Sequence, residues 1–116
     1  MNFKNLLSWK LGIELVTEVY EATSKFPKSE CYGLTQQIRR SAVSIPSNIA
    51  EGAARNSDKE FAQFLHIALG SIAELETQFI IAAKIKYLEN PESLFSKIQE
   101  TRLMILGLIQ SVKRRI

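Results

Sequence analysis

The chain has 116 residues, of which 46% are apolar and 23% charged, with five glycines and three prolines. These values are typical of one ordinary globular domain with a real core; they argue against a disordered chain and against an all-β sandwich with many tight turns. The formal charge of +3 permits contact with phosphate backbones without demanding it.

The sequence also indicates a compartment. Cys31 is the only cysteine, so no intrachain disulfide can form, as is usual in a reducing cytoplasm. The first residues lack the apolar core of a signal peptide. No stretch approaches the roughly 20 apolar residues that cross a bilayer, and the best candidate, residues 103–112, is far too short. The sequence therefore predicts a cytoplasmic protein with no membrane attachment.

Apolar residues recur in steps of three and four over residues 6–23, which predicts a first amphipathic helix. Its main apolar line consists of Leu6, Trp9, Ile13, Val16 and Tyr20. A second line beside it consists of Leu11, Leu15 and Val19. Pro27 disfavours helical geometry at Phe26 and is expected to end the segment.

A second helix is predicted over residues 32–54. Its apolar line consists of Leu34, Ile38, Ala42, Ile45, Ile49 and Ala53. Pro46 lies inside it, removes one backbone hydrogen bond and clashes with the carbonyl of Ala42, so either a kink or a break is expected. The kink is favoured because the apolar spacing keeps its phase across Pro46.

A third helix is predicted over residues 58–86, opened by a capping box between Ser57 and Glu60. Its seam has the 4-3 spacing of helices packed at a shallow angle and consists of Phe61, Leu65, Ala68, Ile72, Leu75, Phe79 and Ala82. Gly70 lies in mid-helix, where glycine costs about 1 kcal/mol against alanine. We expect it to permit close approach of another helix, at the Pro46 kink.

A fourth helix is predicted to open with Asn90 as its N-cap and Pro91 at its first position. Its apolar residues exceed what one seam can cover. Two interpretations stay open: the excess faces another subunit, or it wraps into the same core. Four long helices with short loops predict an all-α fold, an antiparallel up-down-up-down four-helix bundle forming one domain over residues 1–116.

No catalytic or metal constellation is found in the sequence. His66 is the only histidine, and its helical neighbours supply no metal ligand. A nucleophilic pair of Cys31 and His66 is possible by composition only. Asn48, Glu51 and Glu74 are expected to form a structural polar network rather than an acid–base pair. We therefore expect no enzyme activity and no cofactor.

Basic residues gather at candidate phosphate-binding positions. The candidates are Arg39, Arg40, Arg55, Lys113, Arg114 and Arg115. The dipole of the fourth helix accounts for the last three, which close that helix, but does not account for the first two, which lie in mid-helix.

Two long blocks carry a family resemblance. Residues 32–52, YGLTQQIRRSAVSIPSNIAEG, and residues 61–77, FAQFLHIALGSIAELET, strongly resemble the signature of the 23S rRNA-intervening-sequence (S23-type) proteins. Trp9, Tyr20 and the Phe26–Pro27 pair fit the opening segment, and the likeness weakens in the fourth helix.

The resemblance implies a four-helix bundle that assembles into a ring-shaped homo-oligomer, expected to be a pentamer. A related branch comprises the accessory proteins of diversity-generating retroelements, basic barrels that bind nucleic acid and a reverse transcriptase. The resemblance supplies no catalytic residue. Two hypotheses follow: a homo-oligomer that binds RNA or DNA through phosphates, and a protein-interaction scaffold without nucleic-acid binding.

Overall fold

The computed structural model describes residues 2–116, and these form four α-helices with no β-strand among them. The helices are α1 (Leu7–Thr23), α2 (Leu34–Ala53), α3 (Asp58–Lys84) and α4 (Glu92–Lys113). Short 3₁₀ turns at Phe3–Asn5 and Lys28–Glu30 precede α1 and α2. The all-helical fold predicted from the apolar spacing is confirmed.

Half of the predicted capping box opens α3. The Ser57 hydroxyl accepts a hydrogen bond from the backbone amide of Glu60 at 3.2 Å. The Glu60 carboxylate does not return the bond within residues 2–116; it lies 4.0 Å from the guanidinium of Arg55 instead. The serine alone therefore caps the helix, and the glutamate is drawn to a cation.

The predicted opening of α4 is wrong in detail. Pro91, and not Asn90, is the N-cap residue, and no side chain caps the helix. Asn90 adopts a φ of 50°, the left-handed region that asparagine tolerates better than most residues. The chain needs Asn90 to turn between α3 and α4, which takes it out of the extended geometry of an N-cap.

The core is built from the predicted apolar lines of α2 and α3 and from one face of α4. The whole α3 seam from Phe61 to Ala82 is buried, as is the α2 line from Ile38 to Ala53. In α4, Ile98, Thr101 and Ile105 are fully buried. Burial of these side chains is the main stabilising term, since each large aliphatic contributes about 1.5–3 kcal/mol.

The two lines of α1 are reversed relative to the prediction. Leu11, Leu15 and Val19 are buried, whereas Ile13 and Tyr20 of the expected main line are 41% and 42% exposed. Apolar residues cover more of α1 than its neighbours can bury, so periodicity alone does not select the inner line. The outer line leaves an apolar groove of about 260 Å³ beside Val43 of α2.

Helix α2 runs unbroken through Pro46, which excludes the predicted alternative of two shorter helices. Pro46 is buried against Gly12: a Cβ atom on that glycine would lie 3.3 Å from the Cβ of Pro46. Gly12 thus supplies the close approach that was expected of Gly70. Nothing lies within 4 Å of a Cβ on Gly70, because it faces outward. The kink at Pro46 stays a prediction.

One helix satisfies the length and composition of a membrane span, which the sequence interpretation missed. An 18-residue window of α3 has a mean hydropathy of 1.3, and a third of that window is buried inside the bundle. The same helix carries Leu65, Ile72 and Phe79 into the core. Core helices of water-soluble bundles share this composition.

Candidate nucleic-acid interface

The six predicted phosphate-binding residues lie in two separate places. Arg39 and Arg40 are in the first half of α2, whereas Arg55 follows its end and Lys113–Arg115 close α4. From Arg40 to Arg55 the chain advances fifteen residues along or just beyond α2, which is about 22 Å at the rise of an α-helix.

The end of α4 lies beside the start of α3. Nη2 of Arg115 donates to Oδ1 of Asp58, the first residue of α3, at 3.1 Å. Arg55 approaches Glu60 in the same first turn, and its guanidinium stands 4.9 Å from the ring centre of Phe64. We call this cluster the basic end; its members are Arg55, Lys59, Lys113, Arg114 and Arg115.

The positive charge of the basic end is only partly neutralised by ion pairs. Arg55 pairs with Glu51 at 3.6 Å as well as with Glu60, and Arg115 pairs with Asp58. Lys113 and Arg114 are exposed and have no ion-pair partner within residues 2–116. Exposed pairs of this kind contribute only about 0–1 kcal/mol, so a phosphate can compete for the paired arginines too.

Arg39 is held by the neighbouring helix. Its Nε donates to Oγ1 of Thr23 at 2.9 Å, and its guanidinium lies 4.4 Å from the ring centre of Tyr20. Both partners are in the last turns of α1, where unpaired carbonyls concentrate negative charge. The position of Arg39 is therefore explained by the dipole of α1, and not by the dipole of α2, the helix to which Arg39 belongs.

Arg40 is exposed and makes no ion pair within the described part of the chain. It lines an open groove of about 480 Å³ between the end of α1 and the start of α2. The groove, which we call the tyrosine groove, is lined by Tyr20, Cys31, Tyr32, Thr35, Gln36, Arg39, Arg40, Val43 and Ser44. Its aromatic members were not predicted from the sequence. The available signal was a tyrosine at the start of the predicted second helix, less than three turns before two adjacent arginines.

The loop that carries Tyr32 is fixed by a single carboxylate. Oε1 of Glu30 accepts from the backbone amide of Leu34 at 3.2 Å, and Oε2 accepts from the hydroxyl of Tyr87 at 2.9 Å. This hydrogen bond raises the pKa of Tyr87. A Cβ on Gly33 would lie 2.9 Å from Oε1 of Glu30, so a side chain at that position would disturb the cap.

A polar cluster joins α2 and α3, but its members differ from the prediction. Ser44 and Ser71 share a hydroxyl hydrogen bond of 2.8 Å, and Nδ2 of Asn48 donates to the carbonyl and hydroxyl of Ser44. Glu51 pairs with Arg55 instead, and Glu74 is exposed with no hydrogen bond within residues 2–116. Short hydroxyls fit between closely packed helices where a glutamate would not.

Metal-ligating and nucleophilic side chains lie scattered over the described part of the chain. No group of three His, Cys, Asp or Glu side chains that could hold a metal is found in residues 2–116. Cys31 lies exposed in the loop before α2, and His66 lies exposed on α3.

The surplus apolar residues of α4 divide between the two interpretations. Ile109 is buried in the core, whereas Leu106 is 37% exposed. Leu103, which was not counted in the surplus, is 57% exposed. Leu103 follows Arg102 directly and Leu106 lies one turn beyond it. Arg102 pairs with Glu76 of α3 at 2.7 Å. Ile80, one turn beyond Glu76, is exposed as well.

The comparisons with known proteins agree with the fold. A family model described as 23S rRNA-intervening sequence protein matches residues 4–107. A crystal structure of a protein of unknown function from the S23 ribosomal protein family of Bacteroides thetaiotaomicron is similar with a TM-score of 0.82; it is 21% identical, and the match covers 95% of this chain and 99% of that one. At that identity the likeness establishes the fold alone. No curated protein sequence matches the chain.

Proposed function

Because the chain belongs to the family of 23S rRNA-intervening sequence proteins, we propose that it is a non-enzymatic, cytoplasmic homo-oligomer that binds RNA or DNA through phosphates. The observation that carries the proposal is the basic end, where α2, α3 and α4 bring together cations from distant parts of the sequence. Lys113 and Arg114 are exposed there without a carboxylate partner in the described residues. Such groups bind phosphate and release counterions, with little preference for base sequence.

The helix order that we infer is antiparallel throughout. Gly12 and Thr23 of α1 lie beside Pro46 and Arg39 of α2, respectively. The two helices therefore run in opposite directions. Along α3 and α4, Asp58 meets Arg115 and Glu76 meets Arg102, which supports the same relation. This order is what directs the end of α4 and the end of α2 to the basic end.

Self-association through two different surfaces is the second part of the proposal. One surface, the α1–α2 stripe, consists of Trp9, Ile13, Val16 and Val43 around one groove. For the other, which we call the α3–α4 stripe, we propose three exposed residues on either side of the Glu76–Arg102 ion pair: Ile80, Leu103 and Leu106. A ring requires that one surface of each subunit meets a different surface of the next, and two unlike apolar stripes meet that requirement.

The test of self-association uses one variant for each stripe. Ile13→Glu and Leu103→Glu should each reduce the mass measured by light scattering, because a buried glutamate opposes the contact. Mixed together, the two variants should form a heterodimer, since each still has the stripe that the other lacks. Loss of association in only one variant, or no recovery on mixing, would contradict a ring.

The test of binding compares two charge reversals of equal size. Fluorescence anisotropy would follow a labelled single strand bound by the Lys113→Glu/Arg114→Glu protein and by a control, Lys25→Glu/Lys84→Glu, whose lysines are also exposed. Loss of two phosphate contacts at a slope of about 0.7 each predicts about 25-fold weaker binding at 0.1 M salt. An equal loss in the control would mean that net charge, and not the basic end, governs binding.

The exposed apolar stripes also favour a second candidate function, a scaffold for a protein partner such as a reverse transcriptase. The scaffold is supported over the nucleic-acid role by two results together. A protein partner stays bound after nuclease treatment, and the protein binds no oligonucleotide at low salt.

A further inference from the structure

We propose that the tyrosine groove is a stacking site for unpaired bases, so that the preferred ligand is single-stranded nucleic acid. The inference rests on the proposed function, because it names the form of nucleic acid that is bound. The groove's volume of about 480 Å³ lies within the roughly 300–1,000 Å³ of small-ligand sites. Its described lining residues include two tyrosines and two arginines and no carboxylate.

Tyr32 offers an aromatic face that the protein itself leaves uncovered. It is 90% exposed, more than any other large apolar residue described. The loop around it is nevertheless ordered by Glu30, which caps the amide of Leu34 and accepts from Tyr87. Because the backbone that carries the ring is already ordered, only the side-chain rotation of Tyr32 is lost when a base stacks on it, which favours binding.

Arg39 and Tyr20 add a second planar surface. The guanidinium lies over the Tyr20 ring at 4.4 Å, and its Nε is held by Thr23. Bases of single-stranded RNA and DNA stack on both aromatic rings and guanidinium planes. The contact with α1 thus keeps the arginine plane oriented while part of it remains accessible from the groove.

Arg40 supplies the charge that such a ligand needs. It is exposed at the rim and has no ion pair within residues 2–116. A phosphate that follows a stacked base can therefore be neutralised there. A duplex keeps its bases stacked on one another, so it can use the arginine but not the rings. The combination favours a single strand over a duplex.

The experiment compares ligands with and without unpaired bases. Labelled strands of about 12 nucleotides are titrated into the full-length protein: oligo(dT), oligo(rU), a strand of abasic sugars, and a duplex. Tyr32→Ala should weaken both base-containing strands about 5- to 150-fold, the range expected for one lost base–aromatic stack. It should leave the abasic strand and the duplex unchanged, and Tyr32→Trp should restore binding. The dT and rU arms distinguish DNA from RNA.

Several outcomes would overturn the inference. Tyr32→Ala with no effect, or with an equal effect on the abasic strand, would remove the stacking role. A change in oligomer mass would make the groove a subunit contact, since Val43 lines both the groove and the α1–α2 stripe. If the Lys113→Glu/Arg114→Glu protein binds the single strand normally while the Tyr32→Ala protein does not, the basic end is not the binding site and the tyrosine groove is. Absence of all binding at low salt would contradict both.

Discussion

Two glycines inside helices should respond in opposite ways to alanine. Gly70 is in the middle of α3, and a Cβ there would meet nothing within 4 Å. Gly52 is near the end of α2, and a Cβ there would lie 2.7 Å from the Cβ of Phe64 and 3.0 Å from Cδ1 of Phe61. The first position is open, and the second is packed against two phenylalanines of α3.

The magnitudes follow from helix propensity and overpacking. Gly70→Ala should stabilise the protein by about 1 kcal/mol, the propensity difference in a helix interior. For Gly52→Ala the gain from helix propensity is smaller, because the residue lies near the helix end. Overpacking lowers the free energy of unfolding by about 1–3 kcal/mol, so a net loss of about 1–2 kcal/mol is expected. With an unfolding entropy of about 2.1 cal/mol/K per residue, 1 kcal/mol shifts Tm by about 4 °C in a chain of this length.

Thermal unfolding followed by circular dichroism measures both shifts. All proteins must be compared at one concentration, because association changes Tm. We expect Gly70→Ala to melt about 4 °C above the wild type and Gly52→Ala to melt about 4–8 °C below it. Shifts of the same sign in the two variants would refute the packing between α2 and α3 described above.

Two further predictions concern Arg39 and Tyr87. Arg39→Ala should lower the free energy of unfolding, measured in urea, by about 1 kcal/mol, because a partly exposed charged hydrogen bond is lost. Arg40→Ala should change it by less than about 0.5 kcal/mol. Equal effects would contradict the different surroundings of the two arginines. The hydrogen bond to Glu30 raises the pKa of Tyr87, so its contribution to stability is fully present below pH 10 and is lost as pH rises through the folded-state pKa. Tyr87→Phe should therefore flatten the decline of Tm at alkaline pH, and an unchanged profile would argue against the bond.

The apolar lines of α2 and α3 were predictable because their residues keep a spacing of three and four along the whole helix. The inner line of α1 was not, since Leu15 and Ile13 are equally apolar and only the packed neighbours decide which is buried. The outward position of Gly70 likewise depends on helix rotation, which single-sequence periodicity does not define.

The candidate site was predictable in its basic residues and not in its geometry. The run from Lys113 to Arg115 stands out in the sequence, but its contact with Asp58 joins residues that are 57 positions apart. The role of Arg39 depends on the end of α1, and the loop at Tyr32 depends on Tyr87, which is 57 residues from Glu30. Such long-range hydrogen bonds leave no local signal in the sequence.

The salt dependence of binding shows whether the protein holds nucleic acid through phosphate contacts at the basic end. Affinity for a short single strand should be measured by anisotropy from about 50 to 200 mM salt, where phosphate contacts dominate. We predict that the logarithm of the association constant falls linearly with the logarithm of salt, and that Lys113→Glu/Arg114→Glu makes the slope shallower by about 1.4. A slope near zero, or one that the double variant leaves unaltered, would contradict binding through the basic end.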